Sequence, residues 1–392
     1  MTLLGTADRL ESSGRGGFRA AAPGNRGAHP NALRDWLETS VARGSRPGSV
    51  LAHAPSHVFQ SPGGGEYQFI QTSVHLEAIG CEVRPFVGWV DRIEDARLLH
   101  LYGMSREGLG PARVARSRGV PVVLSPICWY EPRALVALAD GPRRAACALA
   151  GWTLRTIAPR TPSWRRELLA LADLVLPNSR AEARQLTRLF GVDPARIRVT
   201  PNGVEPRFAT ATPDLWHARF GDEPFVLFVG RIEPRKNLLS LIRAMRELGL
   251  PLVAIGDAPA GFEGYDAECR RAGAGFVRRL PALDHADPLL ESAYAAARVF
   301  ALPSWFETPG LAALEAAAAG AAVVITPFGC TREYFNEDVE YARPDRAFEI
   351  ARAIESAWRR VDDGALGERV ARCFTWSVAA RITAEAYDEV AG

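Results

Sequence analysis

The chain has 392 residues, 47% of them apolar, and a formal net charge of +2, with Lys236 the one lysine among its 47 basic residues. At roughly 150 residues per domain this length suits two domains, and the near-balanced charge excludes an electrostatic nucleic-acid binder, which would carry a concentrated basic face. No run of about 18 uncharged apolar residues spans a membrane, the opening residues lack a secretory h-region, and six scattered cysteines without a CxxC pair read as free thiols of a cytoplasmic protein.

Taken in chain order, residues 1–48 are rich in Gly, Ser, Ala, Arg and Pro and read as a disordered leader, with one short helix around 32–41. "SVLAHAP" suits a buried strand, "SPGGGE" a glycine turn, "YQFIQTSVHLEAIG" a helix stopped by Gly80, and "CEVRPFV" a returning strand. Further strand-like runs follow at "ARLLHLYG", "VPVVLSP", "ADLVLPNS" and "RIRVTPNG". After "PNGVEPRF" the pattern restarts with "PFVLFVGRI", the helix "NLLSLIRAMRELG", the strands "PLVAIGDA", "ARVFALPS" and "AAVVITPFG", and an Ala-rich helix at 310–320. Strands alternating with helices predict parallel sheets covered on both faces. The expected class is α/β, with a first doubly wound domain at 49–208 and a second at 209–372. The linker is expected near 205–222, and 373–392 is an amphipathic helix that docks on another surface. Ligands of such sheets sit at the carboxyl ends of strands, so the cleft between the domains is the expected site.

Four places put unusual residues at strand ends. Gly63, Gly64 and Gly65 form either a plain turn or a loop whose backbone approaches an anion. Arg231, Arg235 and Lys236 put three cations within six residues, which suits either a diphosphate or a solvated basic turn, and they read as exposed cations at a cleft mouth. In "SWFETPGLAALEAAAAG", Glu307 lies in the loop after a strand and Glu315 eight residues on, inside an Ala-rich helix. A glutamate there either faces solvent or is held by hydroxyl or N–H donors, and Gly310 and Leu311 open the helix with unpaired N–H groups. "PNGVE" reads as a structural hinge. No Asp-x-Asp pair supplies a carboxylate clamp for a divalent ion, and His53 and His57 are separated by Pro55, so no metal is expected.

These stretches, in this order, resemble family-four retaining glycosyltransferases of the GT-B fold, from about Ser49 to the C-terminus. The resemblance rests on Gly63-Gly64 with Glu66, "ADLVLPNS", "PNGVE", "FVGRIEPRKN" and the Glu-x7-Glu pair formed by Glu307 and Glu315. It implies that Arg231 and Lys236 hold the donor's diphosphate, with the Gly63-Gly64 backbone closing from the first domain. It implies that Glu315 binds ribose hydroxyls and that Glu307, with N–H groups near Gly310 and Leu311, holds the donor sugar. Glu307, Arg231 and Lys236 are then the catalytic residues. A nucleotide-diphosphate sugar is the donor substrate, a saccharide, lipid-linked saccharide or small metabolite is the hydroxyl acceptor, and no cofactor is implied. The tail would cross back onto the first domain.

Two places depart from the family pattern. A histidine facing the donor sugar is replaced by the run Ile127-Cys128-Trp129-Tyr130, and Pro309 removes one N–H donor from the loop after Glu307. Residues 133–168 mix Arg with Leu, Ala and Trp, which suits either peripheral contact with the inner face of a membrane or a packed helix pair with solvated arginines. A GT-B protein that binds a sugar nucleotide without transferring it is the alternative function.

Overall fold

A computed structural model describes Thr39 and residues 48–55, 63–360 and 364–391. The leader expected at 1–48, its short helix and His57 thus lie almost wholly outside the described residues.

Strands β1 (Val50–His53), β2 (Val83–Pro85), β3 (Leu98–Tyr102), β4 (Val122–Ser125) and β5 (Leu174–Val175) form one sheet in the order β2-β1-β3-β4-β5. All its pairings are parallel. Because side chains alternate along a strand, Leu99 and Leu101 enter one core and Leu98 and Tyr102 another on the opposite face. Both faces are therefore apolar, which is why these strands read as continuous hydrophobic runs. Each fully buried Leu or Val in them contributes about 1.5–3 kcal/mol.

The second sheet contains β6 (Val226–Val229), β7 (Leu252–Ile255), β8 (Val277–Leu280), β9 (Val299–Leu302), β10 (Ala322–Ile325) and β11 (Glu340–Tyr341). Its order is β11-β10-β9-β6-β7-β8, again parallel throughout. Six helices matter below: α1 (Gly64–Ala78), α2 (Pro142–Ile157), α3 (Arg180–Phe190), α4 (Leu238–Leu248), α5 (Leu311–Ala318) and α6 (Trp376–Ala391). Two Rossmann-like domains facing across a cleft are the GT-B arrangement.

Helix α6 returns to the first domain, where Ala380, Ala386 and Tyr387 join the core of Phe69 and Ile70. The Tyr387 hydroxyl lies 2.6 Å from His100 Nδ1 on β3, and His100 Nε2 lies 3.0 Å from Ser125 Oγ. Full burial pushes His100 down to about 3, so this strut is neutral.

Three expectations change. "RIRVTPNG" is not a strand: Arg198 and Thr200 donate to Val175 and Pro177 carbonyls, but Pro177 has no N–H to return, and Ile197 makes a single bridge to Val175. The segment 205–222 is not a linker, because Phe208 and Trp216 are buried in the second domain's core. The chain crosses earlier, at 201–204, so the boundary drawn after residue 208 moves forward. There Gly203 is required by close approach, since a Cβ would lie 2.2 Å from Trp376 N. Finally, β8 and β11 are additional strands.

Candidate active site

The loop after β6 turns through a short 3₁₀ segment, Pro234–Lys236, into Asn237 at φ +60°. Asn tolerates that left-handed conformation, and its Nδ2 donates to the Pro303 and Pro344 carbonyls at 3.1 and 2.9 Å. The turn is thereby fixed, and Lys236 Nζ lies 2.7 Å from Glu307 Oε1. Glu307 is held equally firmly: its N–H donates to Phe328 O at 3.1 Å and its carbonyl accepts from Cys330 N at 2.8 Å. Gly329, at φ +102°, fits there because any Cβ would stand 2.0 Å from Glu307 O.

Burial alone would raise the Glu307 carboxyl, but the Lys236 and Arg235 charges outweigh it and hold it below the ordinary value. Burial pushes Lys236 down, offset in part by Glu307. With its side chain 15% exposed, Lys236 is a half-buried ion-pair partner and not the exposed cation the sequence suggests. Arg235 lies 3.9 Å from Glu307 and 3.0 Å from Glu233. Arg231 is more open, with its side chain 41% exposed and 3.6 Å from Glu233.

Across the cleft, α1 begins at the glycine turn. A Cβ on Gly63 would lie 3.6 Å from the Arg231 guanidinium, and one on Gly64 would lie 3.5 Å from Leu311 Cδ1, so both domains nearly touch at this point. The Gly63 N–H donates to Glu66 Oε2 at 2.5 Å. That amide is already used by its own helix, which leaves Gly64 as the turn's approach to an anion. The run Ile127–Tyr130, where the family histidine is expected, begins with Ile127 at φ +47°, packed against Gly65.

Gly310, at φ +94°, caps the start of α5, whose opening residues Leu311 and Ala312 line the cleft. Glu315 faces inward, 6% exposed, with Oε1 2.7 Å from His285 Nε2 and Oε2 accepting from the Tyr294 hydroxyl at 2.9 Å. Burial raises its carboxyl, and the opposing pull of His285, Tyr294 and Arg207 leaves it below the ordinary value. Gly63, Gly64, Arg231, Lys236, Glu307, Gly310, Leu311 and Glu315 all line one cavity of about 870 Å³ between the domains. Sequence reasoning missed His285, Tyr294 and Asn237, for which no local spacing gives a signal. Among the described residues no cluster of three His, Cys, Asp or Glu side chains is placed to hold a metal ion.

Residues 41–203 match the family described as glycosyl transferase 4-like domain, and residues 223–360 the family described as glycosyl transferases group 1. The chain belongs to the group 1 glycosyl transferases. Its similar proteins include D-inositol 3-phosphate glycosyltransferases of Nocardia farcinica, 35% identical over 42% of this chain, and of Xylanimonas cellulosilytica, 33% identical over 56%. Those matches cover 40% and 58% of the relatives' own lengths, so the chain spans about half of each. Among solved structures, sucrose-phosphate synthase of Thermosynechococcus elongatus aligns with TM-score 0.67 and 21% identity, over 87% of this chain and 99% of that one. Anabaena Alr3699/HepE in complex with UDP and glucose aligns with TM-score 0.66 and 17% identity, over 87% and 100%. These solved structures share the fold seen here.

Proposed function

We propose that this chain moves a sugar from a nucleotide-diphosphate sugar to a hydroxyl acceptor, with retention at the anomeric carbon and without a metal. The observation that carries the reading is the placement of Arg231 and Lys236 with Glu307 and Glu315 around one interdomain cavity. An ammonium has three donors. One Lys236 N–H is spent on Glu307, which leaves two for the oxygens of a departing diphosphate. Arg231, the more open cation, meets the same charge from the side of Gly64. Stabilising that developing charge is the main catalytic task. In front-face retention the C–O bond to the diphosphate breaks first, and the new bond forms on the same face. The acceptor's proton passes to a departing phosphate oxygen. Glu307 holds the sugar with the oxygen that Lys236 leaves free, and Glu315 takes the ribose hydroxyls.

A non-catalytic binder has no use for a half-buried lysine poised on the sugar-facing carboxylate. The deciding experiment incubates the protein with UDP-, GDP- and ADP-sugars and an acceptor extract, with and without EDTA. Acceptor-dependent release of nucleoside diphosphate that EDTA leaves intact is expected, with the product anomer read by NMR. Binding without release supports the binder, and activity abolished by EDTA overturns metal independence.

For the acceptor, a specific observation favours peripheral membrane contact through 133–168. Helix α2 buries no residue, and Leu149, Leu154 and Ile157 are 40%, 52% and 77% exposed. Its helical spacing puts these three with Ala146 and Ala150 on one outward arc, while Trp152 packs toward the first domain's core. Residues 131–166 carry seven arginines against Glu131 and Asp140, a net charge of +5 beside +2 for the whole chain. An apolar arc flanked by Arg143 and Arg144 suits an anionic bilayer surface that presents a lipid-linked hydroxyl acceptor. Among the described residues no helix is long and apolar enough to cross a membrane. Co-sedimentation with phosphatidylglycerol vesicles but not phosphatidylcholine vesicles is expected, and Arg143→Glu with Arg144→Glu should abolish it.

A further inference from the structure

Both oxygens of Glu315 already have protein partners. Arg207 Nη2, which can only donate, lies 2.9 Å from His285 Nδ1 and 2.5 Å from the His285 carbonyl. Glu205 Oε1 also stands 3.4 Å from Nδ1, and Nε2 faces Glu315 Oε1 at 2.7 Å; a carboxylate only accepts, so Nε2 carries a proton and donates to Glu315. Arg207 is itself anchored by Glu291 at 2.9 Å. The other face of the imidazole is covered from the first domain: the Tyr67 ring lies 4.1 Å away, centroid to centroid. Tyr67 is locked in turn, since its hydroxyl donates to Glu205 and accepts from Gln71 Nε2 at 2.8 Å. Burial and the Glu205 charge push that hydroxyl well above its ordinary value, so it remains a donor.

We infer that His285 is a positioning residue for the donor's ribose and makes the grip of Glu315 depend on Tyr67 of the opposite domain. The inference rests on the assignment of Glu315 to the ribose hydroxyls. A carboxylate offers about four lone-pair directions. His285 and Tyr294 occupy one on each oxygen, which fixes the carboxylate plane and leaves one free direction per oxygen for two neighbouring hydroxyls. Helix α1 then meets the donor site twice, with Gly64 against Leu311 near the diphosphate end and Tyr67 against His285 behind the ribose end. The first domain thus bears on the ribose pocket through the Tyr67–His285 contact.

The test titrates UDP, GDP and ADP by calorimetry into wild type, His285→Ala, His285→Gln and Tyr67→Ala, with the 2′,3′-dideoxy form of whichever nucleotide binds. His285→Ala should weaken the ribonucleotide about tenfold, the size of one lost charge-assisted hydrogen bond. The dideoxynucleotide should change by less than about twofold, because it has no hydroxyl for Glu315 to hold. His285→Gln, whose amide can donate to Oε1, should recover part of the loss. Tyr67→Ala should give a smaller loss confined to the ribonucleotide. Equal losses for both nucleotides would make His285 a packing residue and overturn the inference, as would unchanged affinity. Wild-type protein that binds none of the three nucleotides sinks the donor assignment itself, and the inference with it.

Discussion

Glu182 in the first domain and Glu307 in the second are both buried carboxylates beside the interdomain surface, yet their protons behave oppositely. Glu182 opens α3 and accepts N–H donors from Cys128 and Asn178 at 2.8 Å each, with no cation beside it, and burial pushes it up to about 7. Glu307 is as deeply buried but stands beside Lys236 and Arg235, which hold it below the ordinary carboxylate value. The first carboxylate ties two loops of its own domain together. The second keeps a permanent charge pair in a cavity large enough for a ligand. Burial is common to both, so what separates a structural from a ligand-facing carboxylate here is the cation next to it.

Removing that cation is expected to have the largest effect. Lys236→Ala should lower kcat by roughly 10²–10³, the scale of losing one stabiliser of developing negative charge. Because Lys236 pairs with a buried carboxylate, the same change should also lower the urea midpoint, with Arg235 limiting the damage. Adding Glu307→Gln should restore much of the stability and none of the turnover. If the double variant regains neither, Lys236 does more structural work than the pairing explains. Lys236→Arg keeps the charge and changes its shape. Its planar fork should engage Glu307 with both arms and leave fewer donors for phosphate, at a cost of at least about tenfold in kcat. Full activity would make the lone lysine an accident of a sequence that otherwise uses arginine.

Much of the cation-lined wall is legible in the sequence because its signals are local. Arg231, Arg235 and Lys236 lie within six residues after a strand, and Glu315 interrupts an alanine helix. What was illegible depends on residues far apart in the chain. His285 gains its role from Tyr67, Glu205 and Arg207, and nothing in the stretch "LDHAD" announces it. Edge strand β8 was hidden because its sequence, VRRL, carries two arginines, one of them paired with Asp266 at 2.8 Å. "RIRVTPNG" misled in the other direction, since its apolar alternation is that of a strand and only Pro177 on its neighbour prevents the ladder. The first-domain wall, built of Gly64, Gly65 and Ile127, has little charge to read.

The smallest expected effect tests the other half of the comparison, through pH. An unfolded chain releases the Glu182 proton near 4.5, whereas the folded protein holds it to about 7. Between those values the folded state binds more protons, so stability falls as pH rises. The contribution is complete below about 4.5 and is lost as pH rises through about 7, and it amounts to something on the order of 3 kcal/mol. Glu307 runs the other way, because a depressed carboxyl contributes stability above its unfolded value that is lost in acid. Glu182→Gln cannot ionise, so urea midpoints at pH 5 and pH 7.5 should converge in that variant. Its amide cannot accept from both the Cys128 and Asn178 N–H groups, so it should also be less stable than wild type at pH 5. A wild-type slope that survives the substitution would place the titrating group elsewhere and leave Glu182 charged like its counterpart.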